Sequence, residues 1–345
     1  MGFKYRQKIP SVTEIISQMP LGEEIKEIKR ERDLDILDIV RKKSNKFLLI
    51  IGPCSADNED AVCEYVSRLS RVYEKVKDII TIIPRIYTNK PRTTGAGYKG
   101  MVHQPNPMEE PDIVKGLIAI RKMHLRVLYE TGLSAADEML YPGNYPYLDD
   151  LLSYVAVGAR SVENQEHRLT VSGLDIPVGM KNPTSGDLNV LLNSVQAAQL
   201  PHSFIYNGYE VETDGNPWSH CILRGAFNQY GANIPNFHYE DLILLTDMYE
   251  ERKLANPTII VDCSHANSNK KFSEQPRVAK EVLYSIKKSS RLKPIVKGLM
   301  IESYLIEGAQ AAAGSTYGQS ITDPCLGWED SEKLILELAD IVSKI

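Results

Sequence analysis

Four segments of the sequence end in side chains that bind divalent metals. Short apolar segments lead into Cys54, His265 and Glu302, and a polar segment leads into Asp323. The apolar segments are rich in β-branched residues and flanked by turn formers, which predicts buried strands. A thiol, an imidazole and two carboxylates suit a divalent transition metal. Because they lie far apart in the chain, only a closed fold could gather them into one metal centre.

Positively charged side chains follow several of the other predicted strands. They are Arg85, Lys90, Arg92, Arg160, Lys181 and Arg224, accompanied by Thr93 and by the carboxylate of Glu138. Like charges that crowd together repel, so such a cluster predicts an anionic ligand. Arginine matches phosphate and carboxylate oxygens two at a time, and lysine adds a point charge. Six cations exceed what one phosphate requires, which favours two phosphates, or a phosphate and a carboxylate.

Each of these residues also has an ordinary structural explanation. A free cysteine commonly packs as a small apolar side chain, and an arginine after a strand is usually a surface group. The functional interpretation depends on their joint placement at strand ends. Asp262, Glu163 and His103 also lie near such ends, and we interpret them as supporting or structural groups.

Strand and helix patterns alternate from Phe47 onward. The predicted strands are Leu48–Ile51, Ile80–Ile86, Ala135–Met139, Tyr154–Gly158, Val178–Lys181, Ser203–Tyr206, Thr258–Val261 and Gly298–Ile301. Eight strand–helix units predict a (β/α)8 TIM barrel, whose active site lies at the carboxyl ends of its strands. A Gly-x-Gly-x-x-Gly segment is missing after the first strand, which argues against a Rossmann fold. The polar stretch Asn207–Trp218 predicts a β-hairpin inserted after strand six, with Cys221–Arg224 as its returning arm.

The first 45 residues differ in character from the rest. Gly22–Lys43 is a charged segment with one apolar stripe, which predicts a helix. It is interpreted either as a helix packed on the main domain or as an oligomerisation or regulatory arm. The predicted division is therefore an N-terminal helical extension, 1–45, and a catalytic barrel, 46–345.

Composition excludes several classes of protein. The 345 residues carry a formal net charge of −5, whereas nucleic-acid binders are more often basic. The apolar runs fall far short of the roughly 20 residues of a membrane span, and no secretory signal pattern is present. Five cysteines without an export signal predict reduced thiols and a cytoplasmic protein.

Several motifs together resemble one enzyme family. They are Ile51-Gly52-Pro53-Cys54-Ser55, Lys90-Pro91-Arg92-Thr93-Thr94, Gly158-Ala159-Arg160-Ser161, Ile222-Leu223-Arg224-Gly225, Asp262-Cys263-Ser264-His265-Ala266-Asn267, Ser320-Ile321-Thr322-Asp323 and Gly327-Trp328-Glu329-Asp330. Their order and spacing resemble the type I 3-deoxy-D-arabino-heptulosonate 7-phosphate (DAHP) synthases, in particular the feedback-regulated branch with an N-terminal extension. The resemblance implies a transferase that condenses phosphoenolpyruvate with erythrose 4-phosphate and releases phosphate. This reaction is the first step of the shikimate pathway to chorismate and the aromatic amino acids.

The resemblance also implies roles for individual residues. The metal ligands are expected to be Cys54, His265, Glu302 and Asp323. The groups around phosphoenolpyruvate are expected to be Arg85, Lys90, Glu138, Arg160, Lys181 and Arg224. The phosphate of erythrose 4-phosphate is expected to bind Arg92 and Thr93. The residues expected to act in catalysis are Lys90, Arg160, Lys181 and His265, with Lys90 as the hypothetical proton donor to the new hydroxyl.

Several properties stay open at this point. The single divalent metal is manganese, iron, cobalt or zinc, and the assembly is a homodimer or a homotetramer. Leu140–Tyr147 departs from the phenylalanine-sensitive pattern, so the effector is tyrosine, phenylalanine, tryptophan or none. Cys54 is expected to be oxidisable without metal, to a disulfide with Cys325. The alternatives are a 3-deoxy-octulosonate 8-phosphate synthase-like enzyme, against which Lys90–Thr94 argues, and a non-catalytic barrel that senses an aromatic amino acid.

Overall fold

Parallel strands form a barrel in residues 2–345, the part of the chain that this computed structural model describes. The barrel strands are β1 (Phe47–Gly52), β2 (Ile80–Pro84), β3 (Ala135–Glu138), β4 (Leu152–Val157), β5 (Val178–Lys181), β6 (Ser219–Leu223), β7 (Ile259–Asp262) and β8 (Val296–Glu302). They pair in the order β2-β1-β8-β7-β6-β5-β4-β3. A parallel bridge from Arg85 to Ala136 links the two ends of this sheet. The predicted (β/α)8 barrel is thereby confirmed.

Alternate residues of the strands pack on the two faces of the barrel wall. Leu48 and Ile50 of β1 belong to the interior cluster, together with Met300 of β8. Leu49 and Ile51 belong to the larger cluster between the strands and the surrounding helices. Both faces are therefore apolar, which is why these strands are continuous hydrophobic runs.

Helices cover the outside of the barrel. They are α1 (Val12–Gln18), α2 (Glu23–Val40), α3 (Glu59–Val76), α4 (Ile113–Thr131), α5 (Gln165–Ser172), α6 (Leu188–Gln199), α7 (Tyr239–Arg252), α8 (Gln275–Lys288) and α9 (Trp328–Val342). Side chains of Asn58, Asp112 and Asp187 accept hydrogen bonds from backbone amides at the starts of α3, α4 and α6. Within residues 2–345, none of the helices has both the length and the apolar character needed to cross a bilayer.

Short elements decorate the barrel. Two 3₁₀ helices span Pro142–Tyr147 and Phe272–Glu274. Two small ribbons pair Ala226–Phe227 with Asn233–Ile234, and Ile306–Ala309 with Gln319–Ser320. The second ribbon belongs to the segment after β8 that carries Asp323.

The inserted hairpin lies before the sixth barrel strand, so its predicted position after strand six was wrong. The predicted sixth strand, Ser203–Tyr206, belongs to the hairpin strand His202–Tyr206, which pairs antiparallel with Tyr209–Thr213. The segment predicted as the returning arm forms β6, which lies between β5 and β7. The hairpin strand is only half-buried at alternate positions, whereas β6 is buried throughout. The first residues of β6 are polar, so the local sequence lacks the apolar pattern that predicts a buried barrel strand.

The N-terminal helices close the amino end of the barrel. Ile36, Ile39 and Val40 of α2 pack into the interior cluster beneath Leu48. Burial of these side chains provides the free energy that holds α2 across the barrel floor.

A buried arginine of α4 fastens the N-terminal segment to the loop after β3. Arg121 donates to the Met19 carbonyl at 2.8 and 3.0 Å and to the Tyr147 carbonyl at 3.0 Å. It also forms a two-pronged ion pair with Asp150, at 2.6 and 2.8 Å. The Tyr147 hydroxyl donates to the Pro10 carbonyl at 2.8 Å. The segment from Pro10 to Met19 and the loop after β3 are thus joined by hydrogen bonds.

Replacing Arg121 with methionine is expected to lower the free energy of unfolding by about 3 kcal/mol, because it leaves buried carbonyls without donors. Urea denaturation followed by circular dichroism measures this change. Lys122→Met is the matched control, since Lys122 is the next residue and is exposed. A loss below about 0.5 kcal/mol, the range of neutral surface changes, would contradict the assigned role.

Candidate active site

The carboxyl ends of the barrel strands surround a cleft of about 250 Å³. Eleven of the twelve predicted site residues line it: Cys54, Arg85, Lys90, Arg92, Thr93, Glu138, Arg160, Lys181, Arg224, His265 and Asp323. The twelfth, Glu302, is buried directly beneath and contacts Arg85 at 3.0 Å. The structure therefore brings together residues that the sequence separates by more than two hundred positions.

Three of the four predicted metal ligands form a tight cluster. The Cys54 sulfur and one carboxylate oxygen each from Glu302 and Asp323 lie within 4.8 Å of one another. His265 lines the same cleft but lies outside this cluster in the described part of the chain. Its Nδ1 lies 3.0 Å from the Asp262 carboxylate. The two groups are close without hydrogen-bond geometry, so Asp262 acts on the imidazole through its charge.

The donor set of the cluster fits a divalent cation. Burial, and next the Glu302 carboxylate, raise the pKa of the Cys54 thiol to about 11. A positive charge is therefore needed to convert this thiol into the thiolate that binds metals. Sulfur, carboxylate and a nearby imidazole are together the ligands of transition metals rather than of calcium or magnesium.

Lys90 supplies positive charge to this cluster. Its Nζ lies 2.7 Å from the Cys54 sulfur and 2.7 Å from Oδ2 of Asp323. Burial opposes the charge of Lys90, but Cys54 and Asp323 outweigh it and raise the pKa. Burial likewise opposes ionisation of Asp323, and Lys90 outweighs it, so the pKa of Asp323 is lowered. Lys90 is thus a protonated side chain in contact with the candidate metal ligands.

Glu302 is fixed by a set of buried contacts. Arg85 pairs with one carboxylate oxygen at 3.0 Å, and the Ser264 hydroxyl donates to the other at 2.8 Å. Arg85 also donates to the Pro53 carbonyl, and its guanidinium lies 3.8 Å from the centre of the Tyr87 ring. Burial opposes ionisation of Glu302, but Arg85 and His265 outweigh it and lower the pKa. Glu302 is therefore held as a carboxylate with its position fixed.

Asp262, which we interpret from the sequence as a supporting or structural group, contacts two of the predicted site residues. It lies 3.1 Å from Nζ of Lys181 and 3.0 Å from Nδ1 of His265. Burial opposes its charge, but His265 and Lys181 lower its pKa well below the usual value. Its position three residues before His265 was the only available signal, and the contact with Lys181 depends on the barrel.

The cationic side of the cleft has an unsatisfied donor. Arg224 is 5% exposed, and within residues 2–345 its Nη1 is buried without a hydrogen-bond partner. Lys270 and Phe227, which we had not predicted as site residues, line the cleft beside it. Both lie in connections after strands, where sequence patterns are weak. A buried, unpartnered guanidinium is costly unless an anion binds it.

Glu138 lies at the end of β3 and lines the same cleft. Its carboxylate lies against Gly158, where a side chain would collide with it in its present position. Glycine at 158 therefore leaves room for this orientation of Glu138. Of the other residues near strand ends, Glu163 and His103 do not line the cleft; His103 packs against Tyr141, with ring centres 5.3 Å apart.

The two cysteines nearest the metal cluster are in contact. The Cys54 amide lies 3.4 Å from the Cys325 sulfur, and both side chains are fully buried.

Denatured, freshly reduced protein should titrate five thiols. After chelation and exposure to air, it should titrate three, because Cys54 and Cys325 become oxidised. The Cys325→Ser variant should keep its remaining four thiols reduced for longer. Five titratable thiols in the wild-type protein after chelation and exposure to air would contradict the prediction.

Known proteins resemble the chain along nearly its whole length. Residues 20–336 match the DAHP synthetase I family. The chain is 37% identical to a phospho-2-dehydro-3-deoxyheptonate aldolase of Haemophilus influenzae over 98% of this chain and 92% of that protein. It is 38% identical to the Tyr-sensitive aldolase of that name from Escherichia coli K12, over 88% of this chain and 84% of that protein. The solved structure of the aldolase from Francisella tularensis SCHU S4 aligns with a TM-score of 0.92 and 32% identity, covering 99% of each chain.

Proposed function

This chain belongs to the DAHP synthetase I family, and on that premise we propose that it condenses phosphoenolpyruvate with erythrose 4-phosphate to give DAHP and phosphate. The observation that carries this assignment is the unpartnered, buried Arg224 in a cleft that Cys54 and Asp323 of the metal cluster also line. The cations would bind the phosphate and carboxylate of one substrate. The metal held by the cluster would activate the aldehyde of the other.

The reaction requires a carbon–carbon bond, a hydration and a loss of phosphate. Carbon 3 of phosphoenolpyruvate attacks the aldehyde carbon, and the aldehyde oxygen takes a proton to become a hydroxyl. Water adds to the carbon 2 that has become electron-poor and gives up a proton. The resulting hemiketal phosphate then breaks its carbon–oxygen bond and releases phosphate, leaving the ketone of DAHP.

The side chains of the cleft are placed for these steps. Arg160, Lys181 and Arg224 would hold the phosphate and carboxylate and offset the charge that develops there. Lys90 is protonated and would donate its proton to the new hydroxyl. Arg92 and Thr93, in the loop after β2, would bind the phosphate of erythrose 4-phosphate and so position its aldehyde.

A divalent ion would be held by Cys54, Glu302, Asp323 and the imidazole of His265, and when bound it polarises the aldehyde oxygen. We propose manganese, iron, cobalt or zinc, because thiolate and imidazole ligands accept all four. Asp262 would keep the His265 ring oriented toward the ion through the charge that it places beside Nδ1.

The assay that tests the function follows loss of phosphoenolpyruvate absorbance with erythrose 4-phosphate added. Consumption with release of one phosphate for each phosphoenolpyruvate is the expected result. The same assay with arabinose 5-phosphate separates the octulosonate alternative, which the family assignment does not favour. Absence of turnover with every aldehyde, in metal-loaded protein, would leave the sensor interpretation instead.

We further propose that residues 1–45 form an oligomerisation and regulatory element, separate in role from the catalytic barrel 46–345. Its support is the hydrogen bonding of Arg121, which joins the N-terminal segment to the loop that begins directly after Glu138. Phe3 and Tyr5 are more than nine-tenths exposed, as expected for side chains that pack on a second copy. The proposed assembly is a homodimer or homotetramer, which light scattering of wild type and a chain lacking residues 1–10 would distinguish from a monomer.

An aromatic amino acid is the proposed effector. Relatives of the chain are named Tyr-sensitive and Trp-sensitive aldolases, and each shares 37–38% identity with it. Adding tyrosine, phenylalanine and tryptophan separately to the assay identifies the effector, and inhibition by none of them would reject the proposal. The five buried, free cysteines support the proposed cytoplasmic location.

A further inference from the structure

A second cavity lies at the opposite, amino-terminal end of the barrel wall. It encloses about 750 Å³, between the first residues of β1 and β8 and the last turns of α8 and α9. This volume is within the range of small-molecule sites. Its apolar walls are formed by Phe47, Ile79, Leu283, Ile286, Pro294 and Val342. The cavity is separate from the catalytic cleft, whose lining residues come from the other ends of the strands.

Lysines dominate the polar part of this cavity. Lys42, Lys46, Lys293 and Lys297 line it, and Asp78 contributes the one side-chain carboxylate among its lining residues. Lys46 is loosely paired with Asp35, at 3.6 Å, and Lys293 donates to the Ile345 backbone oxygen. This excess of positive charge occurs in a protein whose formal net charge is −5. The local charge is therefore opposite in sign to that of the whole chain.

Lys297 is the residue that most requires a partner. Lys297 is 8% exposed. Burial, and next repulsion from Lys42 and Lys293, lower the pKa of its ammonium. Among the residues that the structure describes, no carboxylate offsets these two effects. The stem of the side chain is covered, but its ammonium is accessible from the cavity, and among the described residues it has no hydrogen-bond partner. An anion in the cavity would remove the repulsion.

The loop before β1 supplies the remaining free lysine. Lys42 has a backbone φ of 61°, in the left-handed region that a residue with a side chain rarely occupies. This conformation costs on the order of 1 kcal/mol and is maintained immediately beside the cavity. Lys42 and Lys297 thus approach the same space from a loop and from a barrel strand.

We propose that this cavity binds a small organic acid. Its carboxylate or phosphate would lie against Lys297 and Lys42, and its apolar body would pack on Phe47 and Ile79. The chemistry of the walls excludes a fully polar ion as the best ligand, because much of the lining is aliphatic or aromatic. The site is independent of the condensation reaction and would exist in protein without metal or substrate.

The test uses 1-anilinonaphthalene-8-sulfonate, a fluorescent probe that combines one anionic group with apolar rings. Lys297→Met keeps the length of the side chain and removes its charge. It should raise the Kd of the probe about tenfold, while kcat/KM of the condensation stays unchanged. Lys287→Met is the matched control on an exposed lysine of α8 outside the cavity, and its Kd should stay within twofold of wild type. Benzoate or phenyl phosphate should displace the probe, and whichever displaces it at lower concentration defines the anionic group.

Arg224→Met separates this cavity from the catalytic cleft. Probe binding should survive that substitution, since Arg224 lines only the cleft. A Kd for Lys297→Met within twofold of wild type would overturn the proposal, and so would loss of probe binding in Arg224→Met alone. If Lys297→Met fails to fold, the double variant Lys42→Met/Lys293→Met, on exposed positions, must show the same tenfold weakening.

Discussion

Replacing Lys90 with methionine is expected to lower kcat about a thousandfold. The ammonium of Lys90 contacts the Cys54 sulfur and the Asp323 carboxylate, each at 2.7 Å. It would therefore be both the nearest protonated group to the reacting aldehyde and part of the positive charge around it. Loss of a positioned general acid typically costs two to four orders of magnitude. Steady-state phosphate release measures the effect.

Two controls separate this role from damage to the fold or the metal site. Lys99→Met changes an exposed lysine of the same loop and should keep kcat within about twofold. Metal content of the Lys90→Met protein should stay at one divalent ion per chain, because removal of a neighbouring positive charge favours cation binding. A kcat for Lys90→Met near that of wild type would exclude the proton-donor role.

Removing the divalent ion with a chelator is expected to abolish turnover to below a thousandth of the original rate. Cys54, Glu302 and Asp323 place a thiol and two carboxylates within 4.8 Å, and chelation leaves this ligand set empty. The aldehyde would also lose the charge that polarises it. Adding back manganese, iron(II), cobalt or zinc one at a time should restore activity, with the most effective ion identifying the preferred metal.

Cys54→Ser tests whether the cluster itself holds that ion. The substitution replaces a soft thiolate with a neutral hydroxyl and should weaken metal affinity at least tenfold. Cys221→Ser is the matched control. Cys221 is a buried cysteine of β6, and this strand does not pair with β1 or β8, the strands that lead to Cys54 and Glu302. Activity that persists in metal-free protein would show that the cluster is structural.

The sequence predicted the barrel because most of its strands have a clear local pattern of apolar residues. Leu48–Ile51 and Gly298–Ile301 are short apolar runs bounded by turn formers, and both lie within barrel strands. The sixth barrel strand was not predicted at its true position because its first residues, Ser219 and His220, are polar. His220 is buried only because the Tyr154 hydroxyl, at 2.7 Å, and the Trp218 carbonyl satisfy its ring. The Tyr154 partner comes from tertiary structure, which local pattern does not encode.

The site, like the fold, could be predicted only as far as local sequence pattern reaches. Residues at strand ends, such as Arg85 and Lys181, could be placed because parallel strands share one carboxyl edge. The contact of Asp262 with both Lys181 and His265 could not, since it depends on which strands are neighbours and how far each is staggered. His265 lies outside the tight ligand cluster, at a backbone position with a φ of 53°, and local pattern predicts neither feature.

The helix packed across the barrel floor determines how molecules enter and leave. Ile36, Ile39 and Val40 fill the amino end, so within residues 2–345 the interior offers no passage through the barrel. Substrates and products must therefore enter and leave at the carboxyl ends of the strands. A molecule bound deep against Arg85 and Lys181 would be trapped while another occupies the outer position at Arg92. The substrate of the inner position would therefore have to bind before that of the outer one.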